Sequence, residues 1–179
     1  MNSMKHYTLI LATLLSLLIP VQSWGGDYQK GADAYKSGDY AKALVLLKPL
    51  AEEGNRTAQF YLGHMYDNGN GVPKNFKEAI KWYTLCAEQG DDHAQFNLGH
   101  IYEFDMTPKD FKNAFKWYSL SAEQGDERAQ EAIGRLYSEG KGVIQDYKTA
   151  VKWFSLSAEQ GNVFAQSKDK TPEEAPPGI

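Results

Sequence analysis

The sequence predicts an all-α protein built from repeated helix pairs, and three observations support this prediction. The element Ala-Glu-Gln-Gly occurs at 87–90, 122–125 and 158–161, and Ala-Glu-Glu-Gly at 51–54 adds a fourth copy. Between these copies, apolar residues recur three and four positions apart, as they do on one face of a helix. Hydrophobic residues make up 42% of the 179 residues, an ordinary share for a globular protein. A fixed period of 35 or 36 residues indicates stacked structural repeats.

The first element of the chain is predicted to direct export. Residues 1–23 combine Lys5, an apolar run at 9–19 and the helix breaker Pro20, which is the pattern of a cleavable signal peptide. The alternative is a retained membrane anchor, but the run is shorter than the roughly 20 residues that span a bilayer. We therefore expect a periplasmic or secreted protein with no stable membrane insertion after cleavage.

The next elements are units that each contain two helices, A and B. A shorter unit at 27–54 precedes three full units at 55–90, 91–125 and 126–161, and residues 162–179 form a partial unit and a flexible tail. In the second unit, the apolar spacing predicts helix A at about 57–67 and helix B at about 75–89. The loop between them is 68–73, and the corresponding loop of the third unit is predicted at 104–108, without glycine.

Several repeated positions have structural explanations. Glycine after helix B suits a left-handed turn, and the Asn or Asp that follows can cap the next helix A, as at Asn55, Asp91, Asp126 and Asn162. Glycine inside helix A costs about 1 kcal/mol relative to alanine, so its repetition predicts a close helix crossing. These glycines are Gly63, Gly99 and Gly134. The repeated tryptophans are predicted to lie in the core, and the repeated glutamates at the end of helix B are predicted to have a packing role. They are Trp82, Trp117 and Trp153, and Glu88, Glu123 and Glu159.

The combined pattern resembles a known repeat family. Ala-x-x-x-Leu-Gly-x-x-Tyr, then Gly-x-Gly-Val, then Ala-x-x-Trp-Tyr-x-x-x-Ala-Glu-x-Gly is similar to the Sel1-like repeat (SLR), a relative of the tetratricopeptide repeat. The match is strong over 55–161, whereas 27–54 is more similar to a tetratricopeptide repeat because its inter-helix loop is shorter. The resemblance implies a right-handed α-α solenoid of about four helix pairs, with the A helices on its concave side. It also implies an adaptor that binds a protein or peptide partner.

The resemblance leaves two alternative functions open. Some exported relatives are linked to cell-wall or β-lactam chemistry, which would make the protein a cell-envelope hydrolase. The other alternative is a protein that blocks a single partner, such as a host factor, by forming a tight one-to-one complex with it.

Composition and motifs disfavour several classes of chemistry. The net charge of −4 gives no general electrostatic case for nucleic-acid binding. The single cysteine, Cys86, allows no intramolecular disulfide and is expected to be a small, partly buried residue rather than a reactive thiol. His93 and His100 are seven residues apart, about 10.5 Å along a helix, which is too far for a shared zinc ion. The Gly-x-Gly loops at 69–71 and 140–142 suit turns better than phosphate binding. We expect no catalytic residues, no metal and no cofactor.

The candidate partner-binding surface is one stripe of the A helices. Its residues differ between units while the core positions repeat, and aromatic, His, Asn and Arg side chains suit protein contacts. The stripe comprises Thr57, Tyr61, His64, Asn68, His93, Asn97, His100, Phe104, Arg128 and Arg135.

Two further surfaces are candidates for binding. Paired lysines on the B helices form a basic stripe that could meet an anionic partner, although a solvated outer face is the simpler explanation. The stripe comprises Lys77, Lys81, Lys112, Lys116, Lys148 and Lys152. At the other candidate surface, the partial unit offers little to cover the apolar end of the fourth unit, which predicts a docking surface or a weak homodimer there.

Overall fold

In the computed structural model, the described part of the chain is residues 22–168, with side chains from residue 28 onward. The predicted signal peptide, apart from its last two residues, and the tail beyond residue 168 lie outside the described residues. All regular structure within the described part is helical. The helices are α1 (Gln22–Lys36), α2 (Tyr40–Glu52), α3 (Arg56–Asn68), α4 (Phe76–Ala87), α5 (Asp92–His100), a π-helix (Ile101–Asp105), α6 (Phe111–Glu123), α7 (Glu127–Glu139), α8 (Tyr147–Glu159) and α9 (Val163–Gln166).

The helices pair in chain order and stack as an α-solenoid of four repeats. The odd-numbered helices α1, α3, α5 and α7 are the A helices, and α2, α4, α6 and α8 are the B helices. Each A helix packs on its own B helix, each B helix packs on the A helix of the next unit, and α9 packs on α8. The predicted all-α repeat fold is therefore confirmed. No helix within 22–168 is both long enough and apolar enough to cross a membrane.

The turns between units contain the predicted Asn or Asp caps and left-handed glycines. The side chains of Asn55, Asp91, Asp126 and Asn162 accept backbone N–H bonds at the start of the following helix, as N-caps do. The preceding glycines are left-handed, with φ between 87° at Gly90 and 102° at Gly125. Helix B ends earlier than predicted, however, because α4 stops at Ala87 and a tighter turn connects it to Gly90.

The glycines inside the A helices mark close helix crossings, as predicted. A Cβ on Gly99 would lie 2.5 Å from Cδ1 of Tyr118, and a Cβ on Gly134 would lie 2.8 Å from Cδ1 of Phe154. Gly63 faces Tyr83 in the same way. An aromatic ring of helix B thus rests on the bare backbone of helix A in each full unit. Trp82 and Trp117 are buried, as predicted, whereas Trp153 is partly buried.

The third unit departs from the sequence prediction. Phe104 and Asp105 were expected in the loop 104–108, but they extend the A helix as the last residues of the π-helix Ile101–Asp105. Full units 2 and 4 instead stop their A helices at left-handed Gly69 and Gly140. The third unit has no glycine at this position, so its helix continues until Met106 becomes extended.

The repeated glutamates do not have the predicted packing role. Glu88, Glu123 and Glu159 are all exposed to solvent. The glutamine that follows each of them makes the repeated contact: Gln89 donates to Oε1 of Gln59 at 2.7 Å, and Gln124 and Gln160 donate in the same way to Gln95 and Gln130. The accepting glutamines are buried and donate in turn to the carbonyl of Ala51, Ala87 or Ala122. Side-chain amides therefore link successive units where a packing glutamate was expected.

Candidate functional site

The A-helix face carries two grooves that contain most of the predicted partner-binding residues. The larger groove, of about 330 Å³, lies between the third and fourth units, and the smaller, of about 220 Å³, lies between the second and third. Both are open to solvent, and their floors combine aromatic rings with charged groups. Both grooves therefore lie along the predicted stripe, between successive units of the stack.

The larger groove brings together predicted and unpredicted residues. His100, Phe104, Arg128 and Arg135 were predicted from the sequence. The structure adds Phe96, Tyr118, Glu131, Ala132, Asn162 and Phe164 to its walls. The ring of Phe96 stacks under the Arg128 guanidinium at 4.2 Å, and His100 and Phe104 have ring centroids 4.9 Å apart. An arginine over an aromatic ring is a common anchor for a protein partner.

The smaller groove contains three predicted residues, Thr57, Tyr61 and His93. Phe60 and Asp91 complete it, and neither was predicted to contribute. The ring of Phe60 also contacts Tyr61 and buried Tyr83, with centroids 6.1 and 5.8 Å apart. Phe60 and Phe96 occupy equivalent positions beside the predicted stripe, one residue before Tyr61 and Asn97. A wider stripe on the helical wheel would have included both.

Two predicted residues are bound to other parts of the protein. The Tyr35 hydroxyl lies 2.5 Å from Nδ1 of His64, and burial lowers the pKa of His64. Arg135 makes a two-pronged ion pair with buried Glu103, and the hydrogen bond from Arg135 to Glu103 raises the pKa of Arg135. His64 and Arg135 thus hold neighbouring A helices together. Tyr35 and Glu103 were not among the predicted residues. They occupy equivalent positions near the ends of the A helices of the first and third units.

The remaining predicted residues differ in exposure. His100 is half exposed and lies 3.4 Å from Oδ2 of Asp105, and Phe104 is 47% exposed. Asn97 is half-buried beside Tyr83. Asn68 is exposed and donates to the backbone carbonyl of His64 at 3.0 Å. His100 and Phe104 are therefore exposed at the larger groove, as His93 is at the smaller one.

One histidine lies in a group with two carboxylates. Ligand atoms of Asp92, His93 and Asp126 lie within 4.8 Å of one another. Arg128 already binds Asp126, with Nη2 2.5 Å from Oδ2. Burial by itself raises the pKa of Asp126, but hydrogen bonds from Arg128 and the Ala129 amide outweigh it and lower that pKa. A cation at this position would compete with a guanidinium that the carboxylate binds closely.

The predicted basic stripe lies on the B helices, and all six lysines are exposed. The ammonium groups of Lys81 and Lys116 lie 4.7 and 4.8 Å from the ring centroids of Trp82 and Trp117. Lys112 and Lys116 also line an open, mainly apolar groove of about 690 Å³, together with Phe115, Leu120 and Gly142. Cys86, on α4, is fully buried, and burial raises the pKa of its thiol to about 12, so it is poorly suited to act as a nucleophile.

The last unit ends in the single turn α9. Ala165 is buried against α8, whereas Val163 and Phe164 are 67% and 74% exposed. Phe164 also borders the larger groove. The predicted homodimer through this end stays a prediction, and Phe164 is the residue on which it now depends.

Comparison with known proteins identifies the repeat. A family model described as the Sel1 repeat matches residues 24–55, 56–91, 92–126 and 127–162. None of the curated proteins matches the chain. The first stretch, 24–55, covers the unit that resembles a tetratricopeptide repeat in sequence.

Solved structures of three bacterial proteins are similar to this one. A protective antigen of uropathogenic Escherichia coli strains, which displays an SLR fold, has a TM-score of 0.74 and 37% identity over 79% of this chain and 32% of its own. A Sel1 repeat protein from Oxalobacter formigenes has a TM-score of 0.74 and 38% identity, covering 79% of this chain and 59% of its own. The chain thus spans about a third and three fifths of these proteins. Cysteine rich protein B of Helicobacter pylori, at 23% identity, covering 72% of this chain and 93% of its own, shares the fold with a TM-score of 0.56.

Proposed function

The chain belongs to the Sel1 repeat family, and we propose that it is an exported scaffold that binds a protein or peptide partner along its concave A-helix face. Sel1 repeat proteins are commonly protein-interaction scaffolds. Solenoids of this type present an extended surface, and binding residues can vary there without disturbing the stacked core.

One observation carries the proposal. The A-helix face has two neighbouring open grooves lined by aromatic rings, imidazoles and arginines, while the buried positions of the same helices repeat from unit to unit. Rings and guanidinium groups supply most of the binding energy in known protein interfaces. An extended peptide lying across α3, α5 and α7 would contact both grooves at once.

Export is the second part of the proposal. It is supported by the signal-peptide pattern at 1–23. It is also supported by one relative of similar structure, which is a protective antigen in uropathogenic Escherichia coli.

A pull-down from the cell-envelope fraction tests the proposal. The bait is the protein produced without residues 1–23, and captured proteins are identified by mass spectrometry. A variant with His93, His100 and Phe104 all changed to Ala removes exposed groups from both grooves and leaves the Arg135–Glu103 pair intact. We expect this variant to lose a partner that the unchanged protein captures.

The matched control removes three exposed groups from the opposite face. Lys77, Lys112 and Lys148 are changed to Ala, one residue in each full unit. This variant is expected to retain the partner. Loss of the partner in the lysine variant alone would place binding on the B helices and contradict the proposal.

A further inference from the structure

Successive A helices meet through one repeated pair of positions. The first position lies near the end of an A helix and carries Tyr35, Asp67 or Glu103. The second lies one turn earlier on the next A helix and carries His64, His100 or Arg135, respectively. The structure therefore offers three versions of one junction, which can be compared directly.

The outer two junctions are closed by direct contacts. Tyr35 bonds to His64 at the first junction, and Glu103 binds Arg135 at the third. At the third junction the Tyr118 hydroxyl also donates to Oε2 of Glu103 at 3.1 Å, from behind the carboxylate. Glu103 is 1% exposed, so a buried carboxylate there is satisfied by one guanidinium and one tyrosine.

The middle junction is open. His100 turns away to Asp105, and Asp67 makes no hydrogen bond or ion pair with any other residue in the described part of the chain. Tyr83, the equivalent of Tyr118, is fully buried beside Asn97, yet its hydroxyl makes no hydrogen bond of normal geometry to any described residue. Aspartate is one methylene shorter than the glutamate of the third junction, which explains why Asp67 does not reach this hydroxyl.

The pKa of Asp67 reflects a carboxylate that is partly buried without a bound cation. Burial raises the pKa of Asp67, and the nearby Asp105 raises it as well, against the opposing effects of Lys74, His64 and His100. Lys74 does not fill the junction, because its ammonium group lies over the Phe76 ring, 4.5 Å from the centroid. Asp67 is also in the last turn of α3, where the helix dipole adds negative potential.

We propose that the middle junction binds an arginine side chain of the partner, with the Asp67 carboxylate accepting hydrogen bonds from the guanidinium. The proposal rests on the proposed function and adds the chemistry of the partner, a peptide segment that presents arginine. The third junction supplies the precedent, because the protein's own Arg135 occupies the equivalent place there. A guanidinium matches a carboxylate through two parallel hydrogen bonds, which an ammonium group cannot provide.

The position of the junction suits a partner that crosses both grooves. On α3, Asp67 lies seven residues after Phe60 of the smaller groove, and in the next unit Asn97 lies seven residues before Phe104 of the larger groove. The net charge of −4 also favours a basic segment. An arginine anchored at Asp67 would leave the flanking residues of the segment to fill the two grooves.

The test is a titration of the ¹⁵N-labelled protein, produced without residues 1–23, with N-acetyl-arginine amide, followed by NMR. N-acetyl-citrulline amide, which has nearly the same shape but no charge, is the matched probe. We expect saturable shifts of the amides of Asp67, Asn97 and His100 with the arginine probe and none with citrulline. Asp67→Asn should weaken binding at least about tenfold, because the charge is lost where it is partly desolvated.

Two controls make the outcome decisive. Glu88→Gln removes one exposed carboxylate from the end of α4 and should leave the titration unchanged. Asp67→Asn should retain or increase stability in urea, since an unpaired, half-buried charge costs free energy. Equal shifts with both probes, no shifts, undiminished binding to the Asp67→Asn variant, or a loss of its stability would each overturn the inference. If the pull-down partner is still captured by Asp67→Asn, the proposed function stands and only the arginine site fails.

Discussion

Tyr83 and Tyr118 occupy equivalent positions in successive units, but only the Tyr118 hydroxyl makes a hydrogen bond of normal geometry to a described residue, the buried carboxylate of Glu103. We expect Tyr118→Phe to lower the free energy of unfolding by about 1.5–3 kcal/mol, because it removes a hydrogen bond to a charged group. Tyr83→Phe should leave this free energy unchanged or raise it slightly. Urea unfolding followed by tryptophan fluorescence measures both, and equal losses in the two variants would show that Tyr83 is also satisfied.

The Glu103–Arg135 pair shows why single residues at the junctions matter. A carboxylate that is 1% exposed is costly to desolvate, and its two-pronged contact with Arg135 compensates for that cost. The pair also fixes the spacing of the π-helix and α7, since two parallel hydrogen bonds between a guanidinium and a carboxylate form only in a narrow range of geometries. A residue predicted from its exposed position on a helical wheel can therefore be part of the framework that shapes the groove.

At the scale of the element, the short distance between the A and B helices of each full unit depends on one glycine in helix A. We expect Gly134→Ala to destabilise the protein by about 1–3 kcal/mol, because the added Cβ would lie 2.8 Å from the Phe154 ring. This loss opposes the gain of about 1 kcal/mol that alanine brings to a helix. Urea unfolding gives the free energy of unfolding of Gly134→Ala, of Phe154→Leu and of the double variant. The coupling energy between residues 134 and 154 follows from these values.

The double variant separates two explanations. If the cost arises from the crossing, it should shrink when the ring is replaced by the smaller leucine. An equal cost in both backgrounds would instead place the effect in α7 alone. The same reasoning applies to Gly99 and Tyr118, where the distance is 2.5 Å, although there the ring also carries a bonded hydroxyl.

At the scale of the whole molecule, the exposed C-terminal turn predicts self-association. Val163 and Phe164 project from α9 at the end of the solenoid. We expect the protein to form a weak dimer at high concentration, and Phe164→Ser to keep it monomeric. Light scattering coupled to size-exclusion chromatography measures the molar mass, and a strict monomer for the unchanged protein at high concentration would contradict the prediction.

Much of this architecture could be predicted from the sequence because it depends on local chemistry that repeats. The caps at Asn55 and Asp91 and the crossing at Gly99 follow from the preferences of single residue types. The glutamine contacts could not be predicted in the same way. Gln89 and Gln59 are 30 residues apart, and neither residue type has a strong preference for burial.

The candidate site was predictable to a similar extent. The predicted stripe includes His100 and Phe104, which line the larger groove, because helical periodicity fixes which side of a helix a residue occupies. It did not distinguish His100, which is half exposed, from His64, which is bound to Tyr35. That difference depends on partners in the preceding unit, and the π-helix that positions Phe104 likewise has no periodic signal.

The uniform turn between units has a consequence for how such a chain can change in length. Each turn pairs a left-handed glycine with an Asn or Asp cap, so each of the three full units begins and ends with the same connector. An in-frame duplication or deletion of one unit would therefore join compatible ends and preserve the stacking. New units could be gained as whole copies and then diverge at their A-helix surfaces, giving a lineage a simple route to new binding partners.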